Sequence, residues 1–310
     1  MSFERPEIIR PPSERTSYFL PMTSGCSNAT CTFCNYYGSR LQVRELDEVK
    51  REIDAVAHYL KSRIRMPGIP EVVYEITRQW DGKGIFLQDA DALVYPLPKL
   101  QQALDYLNQR LPSVERIATY GTAQDILRRS PSEMADLRKL RLGIIYLGLE
   151  SGDGEVLKRI AKGVDLQGMI EAARKAKAAD ILTSVTVILG LGGVEGTERH
   201  AFETAKVLSE MDPDYVGALT LTFVPGTPIY HDWNEGKFTP VSAFQSLREL
   251  MTIIENCDFT KCFFSSVHAS NYFAIRGTLP QDKERMLSEL RYVVQKEDPS
   301  SLRPEFLRGL

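Results

Sequence analysis

Cysteine and long apolar runs are scarce in this chain, and each scarcity excludes a class of protein. Five cysteines in 310 residues, an odd number, do not make a disulfide framework and suit a reducing compartment where thiolates stay available. The longest apolar stretches, around residues 184–193 and 216–225, are too short to span a bilayer and contain glycine and threonine. No apolar signal-peptide core follows Met1, so the sequence predicts a cytoplasmic protein with no membrane partner. A basic surplus is missing too. With 38 Lys and Arg against 41 Asp and Glu, the formal net charge is −3, which argues against nucleic acid as a partner, because nonspecific binding needs a basic face to displace counterions. There is no internal repeat beyond a strand–helix alternation, and no low-complexity tract.

That alternation is the first positive signal. Strand-like runs at residues 16–22, 84–88, 116–120, 142–148, 182–189 and 215–223 are each followed by a turn, and all but the last then enter a helical pattern. Leu46, Val49, Ile53, Val56 and Leu60 mark one helix, and Leu97, Leu100, Leu104, Leu107 and Leu111 another, while residues 66–80 read as an irregular insertion. Six such units predict parallel strands joined by right-handed crossovers with helices outside. The expected fold is α/β, a partial (β/α)6 TIM-like barrel over residues 1–235, with a helical C-terminal extension over residues 236–310 that caps it. Phe244, Leu247, Leu250 and Ile254, then Met286 and Leu290, mark helices of that extension. In barrels of this type the loops after the strands' C-terminal ends build the active site, and the unusual residues of this chain fall there.

The most unusual are Cys26, Cys31 and Cys34, three thiols within nine residues directly after the first strand. Three protein ligands are one short of a closed four-cysteine site, so an iron–sulfur cluster held here keeps one iron free for another molecule. The alternatives are a zinc knuckle completed from elsewhere, or buried small residues; the remaining cysteines, Cys257 and Cys262, lie far away near the C-terminus. Those two are also too few for an auxiliary cluster of their own.

With Phe33 immediately before the third cysteine, this loop resembles that of the radical S-adenosylmethionine (SAM) superfamily, although four residues, 27–30, separate the first two cysteines where three are commonest. The resemblance implies a 4Fe-4S cluster on Cys26, Cys31 and Cys34 whose fourth iron takes the amino and carboxylate groups of SAM. Asp89 and Asp91 stand where that family has a Gly-Gly-Glu segment meeting the methionine ammonium; a helix N-cap is the alternative reading for either. The run from Tyr146 to Gly163 looks like the fourth-strand signature of the branch containing methylthiotransferases, the elongator catalytic subunit and oxygen-independent coproporphyrinogen oxidase. By that likeness Glu150 meets the SAM ribose with Ser151 beside it, and Lys162 meets the SAM carboxylate, unless it is a solvated helix-end lysine. Gly190 in Gly190-Leu-Gly-Gly193 permits close approach of an adenine, and Val224 lies in a Phe223–Pro228 segment that resembles an adenine-lining stretch.

In the tail, His268, Asn271 and Tyr272 form a polar and aromatic strip, candidates for acid, base or substrate contact, with a hydrogen-bonded structural histidine as the plainer reading of His268. The resemblance implies an enzyme that reductively cleaves SAM and abstracts hydrogen from an unidentified small-molecule substrate, with an electron donor such as flavodoxin or ferredoxin and sensitivity to oxygen. Modification of a macromolecule such as tRNA and a zinc-stabilised binding protein are the competing readings.

Overall fold

The computed structural model describes residues 3–309. The chain falls into two compact units: the first comprises the segment up to Ala29, Ser39–Tyr146 and Lys175–Leu182, and the second Thr30–Gly38, Leu147–Arg174 and the segment from Thr183 on.

The first unit begins with β1 (Tyr18–Pro21), followed by the short pair β2 (Thr23–Ser24) and β3 (Gln42–Val43). Then come α1 (Leu46–Ser62), α2 (Glu71–Gln79), β4 (Gly84–Gln88), α3 (Leu97–Arg110), β5 (Arg116–Gly121), α4 (Ala123–Arg128), α5 (Pro131–Lys139) and β6 (Leu142–Glu150). The strand order is β1–β4–β5–β6, and β1 pairs in parallel with β4, Phe19 opposite Phe86, as β4 does with β5. Every residue of β1 and β4 is buried, the signature of parallel strands covered on both faces. Val49, Ile53 and Val56 of α1 are buried at the spacing the sequence sets. On the same face the buried Glu52 takes hydrogen bonds from Arg5 at 2.9 Å and Tyr18 at 2.6 Å. Residues 66–80 correct one expectation: they contain α2, which starts after Pro70 and buries Val73, Tyr74, Ile76 and Thr77. Four β-branched residues in nine positions weaken its intrinsic helix signal, and packing supplies what propensity does not, with the Tyr74 ring 5.0 Å from that of Tyr59.

The second unit takes over the last residues of β6 and adds α6 (Gly154–Arg159), most of α7 (Leu166–Ala178), β7 (Leu182–Leu189), α8 (Gly193–Met211), β8 (Tyr215–Thr220) and α9 (Pro228–Asn234). It continues through α10 (Ala243–Asn256), β9 (Cys262–Ser265), β10 (Arg276–Leu279) and α11 (Lys283–Lys296). The order is β6–β7–β8–β9–β10, with β8 parallel to β7 and β9 parallel to β8. Six strand–helix units therefore stand where the alternation places them, and a short helix, α9, follows the sixth strand as well.

The C-terminal segment holds its two expected helices and also two strands. Cys262 and Phe264 point inward from β9 while Phe263 is exposed, an alternation four residues long that a sequence window does not separate from a loop. β10 runs antiparallel to β9, and two of its backbone groups are met by side chains that follow it: Thr278 N–H donates to Asp282 at 2.7 Å and Arg285 donates to the Arg276 carbonyl at 2.8 Å. Among the described residues no helix is long and apolar enough to cross a membrane.

Candidate functional site

In the first unit the chemistry gathers at the C-terminal ends of β1, β4 and β5. Gly25 opens the cysteine loop with φ +81°, and a Cβ there would meet the Arg40 carbonyl oxygen at 2.6 Å, so the turn requires glycine. Its N–H donates to Asp89 at 2.9 Å, while the Asp89 N–H donates to Thr23 at 3.1 Å. Asp89 therefore ties the strand end to the start of the loop. The Cys26 sulfur accepts the Asn28 N–H at 3.4 Å.

Asp91 is fully buried and caps the turn Ala92–Val94 by accepting from the Leu93 N–H at 3.2 Å. Its other oxygen accepts from the Ser27 hydroxyl, which also reaches Asp125 at 3.4 Å. Burial first, then the neighbouring Asp125 carboxyl, push Asp91 well above the usual carboxylate range. Burial also acts to raise Asp125, but hydrogen bonds from Asp91 and Thr122 and the charges of Arg128 and Arg129 outweigh it and hold that carboxyl low. The two carboxyls are pushed in opposite directions, so as pH falls Asp91 takes up a proton before Asp125 does. Asp125 escaped sequence reasoning; its one local signal is Thr122-x-x-Asp125 after a strand, an N-terminal capping pattern, and Thr122 does cap α4.

In the second unit, Cys31 and Cys34 share a turn closed by Cys34 N–H to Cys31 carbonyl at 3.2 Å. Three bonds fix this segment: Thr32 N–H to the Ile160 carbonyl at 3.0 Å, the Thr30 hydroxyl to the Ala161 carbonyl at 3.0 Å, and Ile229 N–H to the Thr32 carbonyl at 3.1 Å. Phe33 packs against the cluster containing Ile160, Leu191 and Ile229. Burial raises both thiols; the Lys162 charge works against that at Cys31, and at Cys34 the Tyr36 N–H does so, donating to the sulfur at 3.5 Å.

Glu150 ends β6 with φ +65° and accepts from Lys162 at 2.8 Å, both side chains largely buried. Burial alone would lower Lys162, but the charges of Glu150 and Cys31 raise it, so the ammonium persists. Lys162 is thus not a solvated helix-end residue. Ser151, fully buried, shares a 2.8 Å hydrogen bond with His200 Nδ1, and the other ring nitrogen lies 3.1 Å from the Ile188 carbonyl. Burial lowers His200 to about 4, so the ring is neutral, accepts from Ser151 and donates to Ile188. Gly190 has φ +81° beyond β7, and its N–H donates to Glu249 at 2.5 Å. The Val224 carbonyl accepts from the N–H and hydroxyl of Thr227.

The tail candidates are engaged internally. Asn271 is buried, donates to the Ala218 and Ser266 carbonyls at 2.7 Å each and accepts from Thr220 at 2.8 Å, the bonding of a structural amide. His268 Nδ1 meets Ser270, and burial then Arg303 lower its pKa. The Tyr272 hydroxyl donates to Glu305 at 2.9 Å and its ring lies under the Arg308 guanidinium at 4.0 Å. Cys257 and Cys262 are buried, and burial pushes the Cys257 thiol far up.

Among the described residues no three His, Cys, Asp or Glu side chains stand in metal-holding geometry. The chemistry of the cysteine segment nonetheless fits a cluster: Cys26 and Cys34 each accept a backbone N–H from two residues further on, bonds that favour thiolates, and Cys31 lies in the field of Lys162.

The family model described as the Radical SAM superfamily matches residues 20–205. The chain is 26% identical over 236 residues to tRNA-2-methylthio-N(6)-dimethylallyladenosine synthase of Aromatoleum aromaticum, covering 72% of this chain and 49% of that one. It is 23% identical over 228 residues to hopanoid C-3 methylase of Methylococcus capsulatus, covering 70% of this chain and 38% of that one. The chain thus spans half or less of the length of these curated relatives. Coproporphyrinogen III oxidase from Escherichia coli superposes with a TM-score of 0.53 at 15% identity over 77% of this chain and 51% of that one, a likeness of fold.

Proposed function

Since the chain belongs to the radical SAM superfamily, we propose that it binds one 4Fe-4S cluster through Cys26, Cys31 and Cys34 and abstracts hydrogen from a small-molecule substrate. It is an enzyme whose cofactors are a 4Fe-4S cluster and SAM. When bound, the cluster supplies the electron that cleaves the SAM sulfonium and so generates the 5′-deoxyadenosyl radical.

The observation that carries this reading is the Cys31–Cys34 turn beside the buried Glu150–Lys162 pair. Lys162 favours the thiolate of Cys31 and gives SAM a carboxylate partner, while Glu150 offers acceptors to the ribose hydroxyls. At the end of β4, the low-lying Asp125 carboxylate beside Asp91 offers a negative field to an ammonium. An electron donor such as flavodoxin or ferredoxin completes the reaction. A tRNA substrate is the second reading, favoured by the first curated relative and opposed by the net charge of −3.

Anaerobic reconstitution with iron and sulfide, then reduction with SAM, tests the proposal. The expected result is a brown protein that releases 5′-deoxyadenosine, and loss of both iron and product in Cys26→Ala, Cys31→Ala and Cys34→Ala. Stoichiometric zinc with no visible absorbance would establish the non-catalytic binding protein instead.

A further inference from the structure

Glu249 of α10 is a fully buried carboxylate outside the segment that the superfamily model matches. It accepts two hydrogen bonds, from the Gly190 N–H at 2.5 Å and the Thr197 hydroxyl at 2.6 Å, and so joins the turn after β7 to the first turns of α8. Neighbouring residues shape the same turn. A Cβ on Gly190 would meet Val241 at 2.9 Å, one on Gly193 would meet Phe238 and the Thr239 carbonyl at 3.2 Å, and Val194 N–H donates to that carbonyl at 3.0 Å. The glycine turn is therefore moulded from outside by residues 238–249.

We infer that Glu249 is a positioning residue for the nucleotide: by fixing the Gly190–Gly193 turn it holds the surface against which the adenosine of SAM lies. This rests on the reading that Gly190 meets the adenosine. The ionisable group facing the carboxylate is His200 of α8, 3.9 Å away, neutral because burial lowers it to about 4; Asp153 and Arg159 act on that ring, not on Glu249. Burial without a paired cation pushes Glu249 up to about 7, against the two hydrogen bonds that favour its charge. Ionised, it accepts both bonds; protonated as pH falls through 7, it accepts them less strongly. The dipole at the start of the 19-residue α8 favours the anion.

The test is titration of the reconstituted protein with S-adenosylhomocysteine between pH 6 and 8.5, with amide hydrogen exchange over residues 188–194. Wild type is expected to bind more weakly as pH falls, and Glu249→Gln to bind about tenfold more weakly at pH 8, without that pH dependence and with faster exchange in the turn. Thr197→Val keeps the charge but removes one donor to it, and is expected to move the midpoint of the pH profile upward, which a merely structural role would not do. A Glu249→Gln protein with wild-type affinity and pH profile overturns the inference; should that variant not fold, an unmoved midpoint in Thr197→Val does so. If the ligand fails to slow exchange at residues 190–193 of the wild type, the placement of the adenosine is wrong, a failure distinct from that of Glu249 alone.

Discussion

Replacing Lys162 by methionine removes the cation that faces Glu150 across 2.8 Å while keeping the length of the stem. The two side chains are 16% and 10% exposed, so solvent does little to screen what remains. Breaking one side of a buried pair costs about 3–5 kcal/mol, because the surviving charge has lost its partner and not its desolvation penalty. Urea unfolding under reductant, before cluster assembly, measures this: Lys162→Met should lose about 3 kcal/mol at pH 8. The Cys31 thiol provides a second readout. Losing the Lys162 charge should raise it further and slow its alkylation at pH 8. A variant within about 0.5 kcal/mol of wild type at pH 8 would refute the claim that the pair is buried and mutually dependent.

A Cβ at Gly148 would land on the Glu150 carboxylate and 2.9 Å from Lys162 Nζ, so Gly148→Ala should cost about 1–3 kcal/mol in thermal unfolding and weaken SAM binding by parting the pair. His200 is lowered by burial to about 4 from an ordinary 6.5, so its share of stability is complete above pH 6.5 and is lost as pH falls toward 4, about 3 kcal/mol in full; His200→Gln should flatten that acid limb in pH-dependent urea melts. Asn271→Ala leaves the Ala218 and Ser266 carbonyls without their donor and should cost about 2 kcal/mol or more in stability, with substrate affinity unchanged if the amide is structural as its bonding indicates.

The strands and the helices between them could be read from local pattern because parallel strands buried on both faces are continuous apolar runs: residues 84–88 and 182–189 are strands at both predicted ends. Helix α2 and strand β9 were not legible, one because its β-branched residues mute the helical period, the other because four residues carry too little alternation. The site divides along a similar line. Cysteine spacing, Glu150 and Lys162 lie within short stretches and their pattern speaks locally. The Asp91–Asp125, Ser151–His200 and Gly190–Glu249 contacts each join residues more than thirty positions apart, and no window of sequence contains both partners. Lys162 also shows burial overturning a plausible surface reading: a lysine at the end of a short helix looks solvated until the fold sets it beside a carboxylate.

A sheet margin is ordinarily an invitation to any extended peptide, since its outer amides and carbonyls lie one register apart and unclaimed. Here two groups of the last strand are capped by side chains four and nine residues downstream, Asp282 on the Thr278 amide and Arg285 on the Arg276 oxygen, and Arg285 also meets Glu289. Two crowded copies that meet along this flank encounter fixed ionic groups in place of free backbone, so growth of a continuous intermolecular ladder from β10 first requires both of those caps to be displaced.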